Sequence, residues 1–125
     1  MSPVALACGL AAGLVVIAVV CWALTRMIAA GSLPRNGFIG IRTRATRRSD
    51  AAWSAGHEAA RSSVLAVAVL GVSGAVATVV AGIALRRTSS GNDVVLVLGI
   101  GVYALVLGVL VHAGRRADRA ASAAR

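Results

Sequence analysis

The sequence predicts an all-α integral membrane protein, one membrane domain over residues 1–125, with three transmembrane helices and a basic cytoplasmic loop that carries a short interfacial helix. Three observations predict it. Apolar residues make up 58% of 125 positions, above the roughly 45–50% of ordinary globular chains. Charged residues are 14%, against about 25% as the usual level. Those charges are confined to segments flanking three uncharged runs, Pro3 to Thr25, Ser62 to Leu85 and Val94 to Gly114. Each run meets the requirement of about 20 apolar residues for a helix crossing a ~30 Å hydrocarbon layer. In lipid the backbone must pair its own N–H and C=O groups, and the runs lack the alternation of barrel strands, so helix is the remaining solution.

Helix one is expected over 3–30, stopped by Gly31 and Pro34. No Lys or Arg precedes its apolar run, Pro3 to Thr25, and Arg26 follows that run directly, the flank of a retained helix rather than of a signal peptide. Cys8 and Cys21 lie ~20 Å apart along it, too far to bond, and read as small buried apolar residues. The loop covers 31–61. Ser49 or Asp50 suits the N-cap of a short helix over 50–61, which either runs on into the next span or breaks at Gly56. On it Trp53 and His57 share a face, and the indole belongs at the membrane interface. Helix two follows at 62–85. Asn92 or Asp93 then offers the N-cap of helix three, 93–114, and a basic tail fills 115–125.

Small residues four apart propose the packing faces: Ala5, Gly9 and Gly13 on helix one, Gly74, Thr78 and Gly82 on helix two, and Ala104 and Gly108 on helix three, with Gly101 on nearly the same face. Helix two carries the clearest stripe, since Thr78 adds a hydroxyl to it. Such faces serve contacts within the chain or a homodimer.

Arginine supplies all 13 basic residues. Missing lysine is what a GC-rich coding sequence gives, but the placement of the arginines is informative. Eleven lie in the loop and tail, against Arg86 and Arg87 alone on the other side. The positive-inside rule therefore puts the N-terminus outside and both loop and tail in the cytoplasm of a multi-pass cell-membrane protein.

Several function classes fall away. The spans hold no Asp, Glu, Lys or Arg, whereas pumps and ion-coupled transporters carry ionisable groups there. His57-Glu58-Ala59-Ala60-Arg61 is one residue from a zinc-protease motif, but Arg61 stands where the second His is needed. His112 could join His57 and Glu58 at a metal, yet a hydrogen-bonded histidine is the simpler reading. Ser54, Ser62 and Ser63 lie near His57 without a nucleophile–base–acid set. No enzyme, cofactor or metal site is expected.

The loop carries the remaining information. Phe38, Ile39 and Ile41 are apolar residues that suit the interface or the bundle. Arg44, Arg47 and Arg48 form a basic cluster suited to anionic headgroups, with about 1 kcal/mol of attraction per residue. Docking of an acidic partner is the sharper alternative; nucleic acid fits poorly on a membrane-tethered loop. Asn36, Gly40, Ile41, Arg42, Thr43, Thr46, Trp53 and His57 form a spaced pattern ahead of a membrane span that resembles the signature of the SdpI family, named for the immunity protein of the sporulation-delaying toxin system. This chain has Arg44-Ala45 where many members have Pro-Trp, and Glu58 where many have Arg. The resemblance implies immunity to a peptide toxin, signalling by sequestering a cytoplasmic regulator protein, and a binding role for the eight residues. The alternative is an accessory or structural subunit of a larger membrane complex with a lipid-anchored loop.

Overall fold

The computed structural model describes residues 1–35 and 37–124, and among them the regular structure is entirely α-helical: α1 (Pro3–Ala29), α2 (Asp50–Ala84) and α3 (Gly91–Ala123). All three are long and apolar enough to cross a membrane. Ser2 caps α1, its hydroxyl accepting from the Ala5 N–H at 3.1 Å. The helix ends at Gly31, whose φ of +65° suits a residue without a Cβ. There the Ser32 N–H donates to the Met27 carbonyl at 3.0 Å and the Gly31 N–H to that of Ile28 at 3.1 Å, closing the helix as expected.

α2 departs from the expected plan. Residues 50–61 do not form a separate interfacial helix; they are the first third of one 35-residue helix, ~52 Å long. Ser49 caps it, accepting from the Ala52 N–H at 3.1 Å. Gly56 does not break it, because the missing side chain is what lets a neighbour in: a Cβ there would stand 2.9 Å from the Ala117 carbonyl oxygen. α3 departs at both ends. It starts at Gly91, with Ser90 in the cap position and no side-chain cap. Asn92, expected as a cap, instead donates to the Met1 carbonyl at 2.8 Å. At its other end the expected tail is helical through Ala123. Ala113, Ala117 and Ala121 are buried there, on the same four-residue spacing as buried Ala52, Gly56 and Ala60 of α2.

α2 packs along both other helices, while α1 and α3 meet each other more sparingly. The stripe on helix two is as expected: Gly74, Thr78 and Gly82 are all buried. A Cβ on Gly82 would stand 2.6 Å from the Ala7 Cβ and 2.9 Å from the Pro3 carbonyl oxygen. The other two stripes are mostly uncovered within the chain. Gly9, Gly101 and Gly108 have open space beside them, and Ala5 and Ala104 are exposed. Of helix one's expected stripe only Gly13 is covered, by Tyr103 of α3, whose hydroxyl donates to the Leu10 carbonyl at 2.9 Å. α1 instead turns Ala7, Ala11, Leu14, Ala18 and Cys21 inward; Cys8 is exposed, against expectation. The loop, 32–49, lies at the end of the bundle where α2 begins and α3 finishes.

Candidate functional site

Gly40 is the pivot of the loop. Its φ is +133°, a backbone conformation that side chains disfavour. A Cβ on it would stand 2.8 Å from Trp53 Cη2 and 2.9 Å from His57 Nε2. The loop thus lays bare backbone against two rings of α2, which lie one turn apart with centroids 4.1 Å from each other and planes tilted by 40°. Both rings are buried, Trp53 at 3% exposure and His57 at 2%. The indole is therefore not an interfacial anchor: its Nε1 donates to the Leu33 carbonyl at 3.0 Å, tying the chain that leaves α1 to the side of α2.

His57 is used on both nitrogens. The Ile41 N–H donates to Nε2 at 2.8 Å, and Nδ1 lies 2.8 Å from the Trp53 carbonyl oxygen. An amide N–H can only donate and a carbonyl only accept, so the ring is the neutral tautomer with its proton on Nδ1. His57 lies ahead of the uncharged stretch of α2, and burial pushes its pKa below the ordinary value, opposed by the hydrogen bond to Trp53. In this state neither nitrogen is offered to a ligand; the imidazole is a clasp for the loop backbone.

Thr43 and Thr46 shape the turn that follows. The Thr43 N–H donates to Thr46 Oγ1 at 3.0 Å and the Thr46 N–H to Thr43 Oγ1 at 3.2 Å. The fully buried Thr46 hydroxyl donates in turn to the Ile41 carbonyl at 2.8 Å. Both backbone groups of Ile41 are thus held by side chains. The Thr46 methyl sits over Gly56, where a Cβ would stand 2.9 Å from it, beside Ala117 and Ala121. Arg42 points outward and donates to the Gly37 carbonyl, closing the loop's tip. Phe38 at that tip is wholly exposed and Ile39 about half so, while Ile41 packs against the core.

Six of the eight signature residues, Gly40, Ile41, Thr43, Thr46, Trp53 and His57, meet in this clasp, and Arg42 braces it from outside. Asn36 lies outside the described residues. Arg44, Arg47 and Arg48 of the basic cluster are all exposed. Arg48 alone of the three reaches another helix: its Nη2 donates to the Ala121 and Ala124 carbonyls at 3.0 and 2.6 Å, capping the C-terminus of α3, where a cation is favoured. Arg35 also turns inward. Its Nη1 donates to the Arg47 carbonyl at 3.1 Å, and its Nε lies 2.7 Å from Asp50 Oδ1 as an ion pair off the line of a hydrogen bond. Leu33, Arg35, Gly56, Ala117 and Ala121 belong to this site although they stand outside the signature. Only the matched small-residue spacing of Ala52-Gly56-Ala60 and Ala113-Ala117-Ala121 signalled any of them. Beside the clasp, Ile28, Gly31, Leu33, Ser54, His57 and Glu58 line a cavity of about 160 Å³.

A model of the SdpI/YfhL protein family matches residues 32–112, which include the whole loop, all of α2 and most of α3. No curated protein and no solved structure matches the chain.

Proposed function

Because the chain belongs to the SdpI/YfhL protein family, we propose that it is an SdpI-like membrane protein whose clasped loop recognises a protein or peptide. The output is immunity to a peptide toxin, membrane signalling by holding a cytoplasmic regulator, or both. The observation that carries this reading is the convergence of the signature residues on one device. Gly40, Ile41, Thr46, Trp53 and His57 fix the backbone of an arginine-bearing loop against α2, giving a shaped surface rather than a floppy charged tether. The role is binding rather than catalysis, since the buried imidazole is consumed in holding the loop. We place the loop and the C-terminal end of α3 in the cytoplasm on the arginine asymmetry.

Two experiments test this. Arg42→Lys keeps the charge and loses the planar fork, so it should abolish protection against the toxin, or whichever phenotype deletion first reveals. Arg47→Lys should keep it, with both proteins inserted at normal levels. Equal tolerance would reduce the loop to an electrostatic anchor. For topology, cysteines at Ser49 and Ser122, in a background lacking Cys8 and Cys21, should stay unlabelled by an impermeant reagent in intact cells. A second reading, an accessory subunit of a larger membrane complex, is favoured by the uncovered Gly101–Gly108 face of α3. Co-purification of a larger complex with no toxin phenotype would put it first.

A further inference from the structure

The sparse contact between α1 and α3 leaves a seam that the third side of the bundle does not close. Two cavities lie along it. The one next to the loop is about 450 Å³, walled by Val20 and Leu24 of α1 and Leu110 and Ala113 of α3, with Phe38–Ile41 over its mouth. The deeper one is about 490 Å³ and reaches Ile100, Tyr103 and Leu107. Ile17 and Leu110 line both, so the two adjoin end to end along the seam and are taken together as one groove. Its walls are apolar, and the single phenol in it is already committed to the Leu10 carbonyl. From Ile100 to Ala113 it follows α3 for ~20 Å, a little more than one leaflet, half of a ~30 Å hydrocarbon layer. Its mouth lies at the basic end of the molecule: Arg42 directly follows Ile41, Arg44 lies two residues on, and both are exposed.

We propose that this groove seats one acyl chain of an anionic phospholipid from the loop-side leaflet, with the headgroup beneath Arg42 and Arg44. Length and wall chemistry fit a hydrocarbon chain running from headgroup level to the bilayer centre. A helix from another protein, about 10–12 Å across with its side chains, needs a far wider cleft. Charge complementarity selects the headgroup: guanidinium pairs with a phosphate diester, and an exposed arginine pair favours a lipid of net negative charge over a zwitterionic one. The exposed Phe38 and Ile39 at the mouth suit the same interfacial layer. The site shares Arg42 with the recognition surface proposed above, but its test reads lipid retention through Val20 and Arg44, so the two readings can fail separately.

Native mass spectrometry of the purified full chain tests it, with phosphatidylglycerol and phosphatidylcholine of identical chains as probes. One phosphatidylglycerol per chain should be retained, and phosphatidylcholine released. Val20→Trp, which fills the mouth cavity from an exposed position, should weaken retention ~10-fold or more, the equivalent of about 1.4 kcal/mol. Val76→Trp, the same bulk at an exposed position on α2, should leave it unchanged. Arg44→Gln should lower phosphatidylglycerol retention towards that of phosphatidylcholine. Should circular dichroism show that Val20→Trp is misfolded, Leu107→Trp blocks the deeper cavity and carries the same expectation. Equal retention of the two lipids, or full retention in the folded groove-filling variant, overturns the proposal. So does efficient disulfide cross-linking of Leu107→Cys in nanodiscs, with Cys8 and Cys21 replaced, because a second copy would then occupy the seam.

Discussion

Along the apolar part of the bundle, away from the loop end, the helices meet through apolar and small side chains, and there, among the described residues, one side-chain hydrogen bond, Tyr103 to the Leu10 carbonyl, links two of them. Over the loop end the proportions reverse. There Trp53, His57, Arg48 and Arg35 each reach a backbone or side-chain partner on another segment, and Thr46 holds the loop's own backbone at Ile41. The reason is solvent. In lipid, hydrophobicity gives helices no drive to associate, so close approach at glycines must do the work. At the loop end the chain has irregular backbone whose N–H and C=O groups need partners, and side chains of α2 supply them. Shape holds one half, and directional bonds position the other.

The largest expected effect comes from breaking the clasp at its pivot. Gly40→Val would force a side chain into a positive φ and into two buried rings, at a cost on the order of 3 kcal/mol. Trypsin should then cut after Arg44 and Arg47 many times faster than in the parent, while helix content and melting in detergent stay close to it. A loss of helix content would show instead that the two halves fold as one unit.

The converse variants act on the shape-held half. Gly82→Leu would drive its side chain into Ala7 and the backbone of Pro3, and Gly74→Leu would collide with Val102. Each should cost about 2 kcal/mol and lower the melting temperature in detergent, with little change in loop cleavage. Unchanged melting would mean that this face carries no packing energy.

The smallest effect sharpens the contrast, because only the loop end should respond to pH. The clasped His57 has a lowered pKa, so the released loop binds a proton more readily than the closed one. Stability of the clasp is therefore full above the free value of about 6.5 and declines as pH falls through it, by at most about 1.4 kcal/mol per unit. Trypsin cleavage of the loop, corrected for the enzyme's own pH dependence, should rise from pH 7.5 to pH 5.5. His57→Gln can still accept from Ile41 through its amide oxygen and should show a flat profile. A parallel rise in that variant would assign the effect to another group.

Much of this was legible from residue patterns. The three spans follow from apolar runs, the end of α1 from Gly31, the cap of α2 from Ser49, and the shared face of Trp53 and His57 from their spacing. Whether the helix runs on through Gly56 was left open by the sequence, because the neighbour that removes the glycine's penalty, Ala117, lies 61 positions on. The helical tail was hidden for the same reason, since its alanines acquire meaning only opposite those of α2. Trp53 misled because an indole near a membrane has two good homes, the interface and a buried site with an acceptor for its N–H, and only the fold shows that the Leu33 carbonyl is there. The outward glycines of α1 and α3 had the right spacing and no partner, which spacing alone does not reveal.

The bond from Arg48 to the Ala121 carbonyl spans 73 positions, and Thr46, Ala117 and Ala121 all crowd the same bare position at Gly56. This has a consequence for biosynthesis. The loop leaves the ribosome well before α3 does, so its third wall is missing while the second and third spans are still being inserted. Until residue 121 has emerged, the arginine-rich segment waits with its seat unfinished and accessible to proteases and holdases. A translational arrest between residues 91 and 116 would leave α1 and α2 in the bilayer with a loop that can reach His57 but cannot be latched.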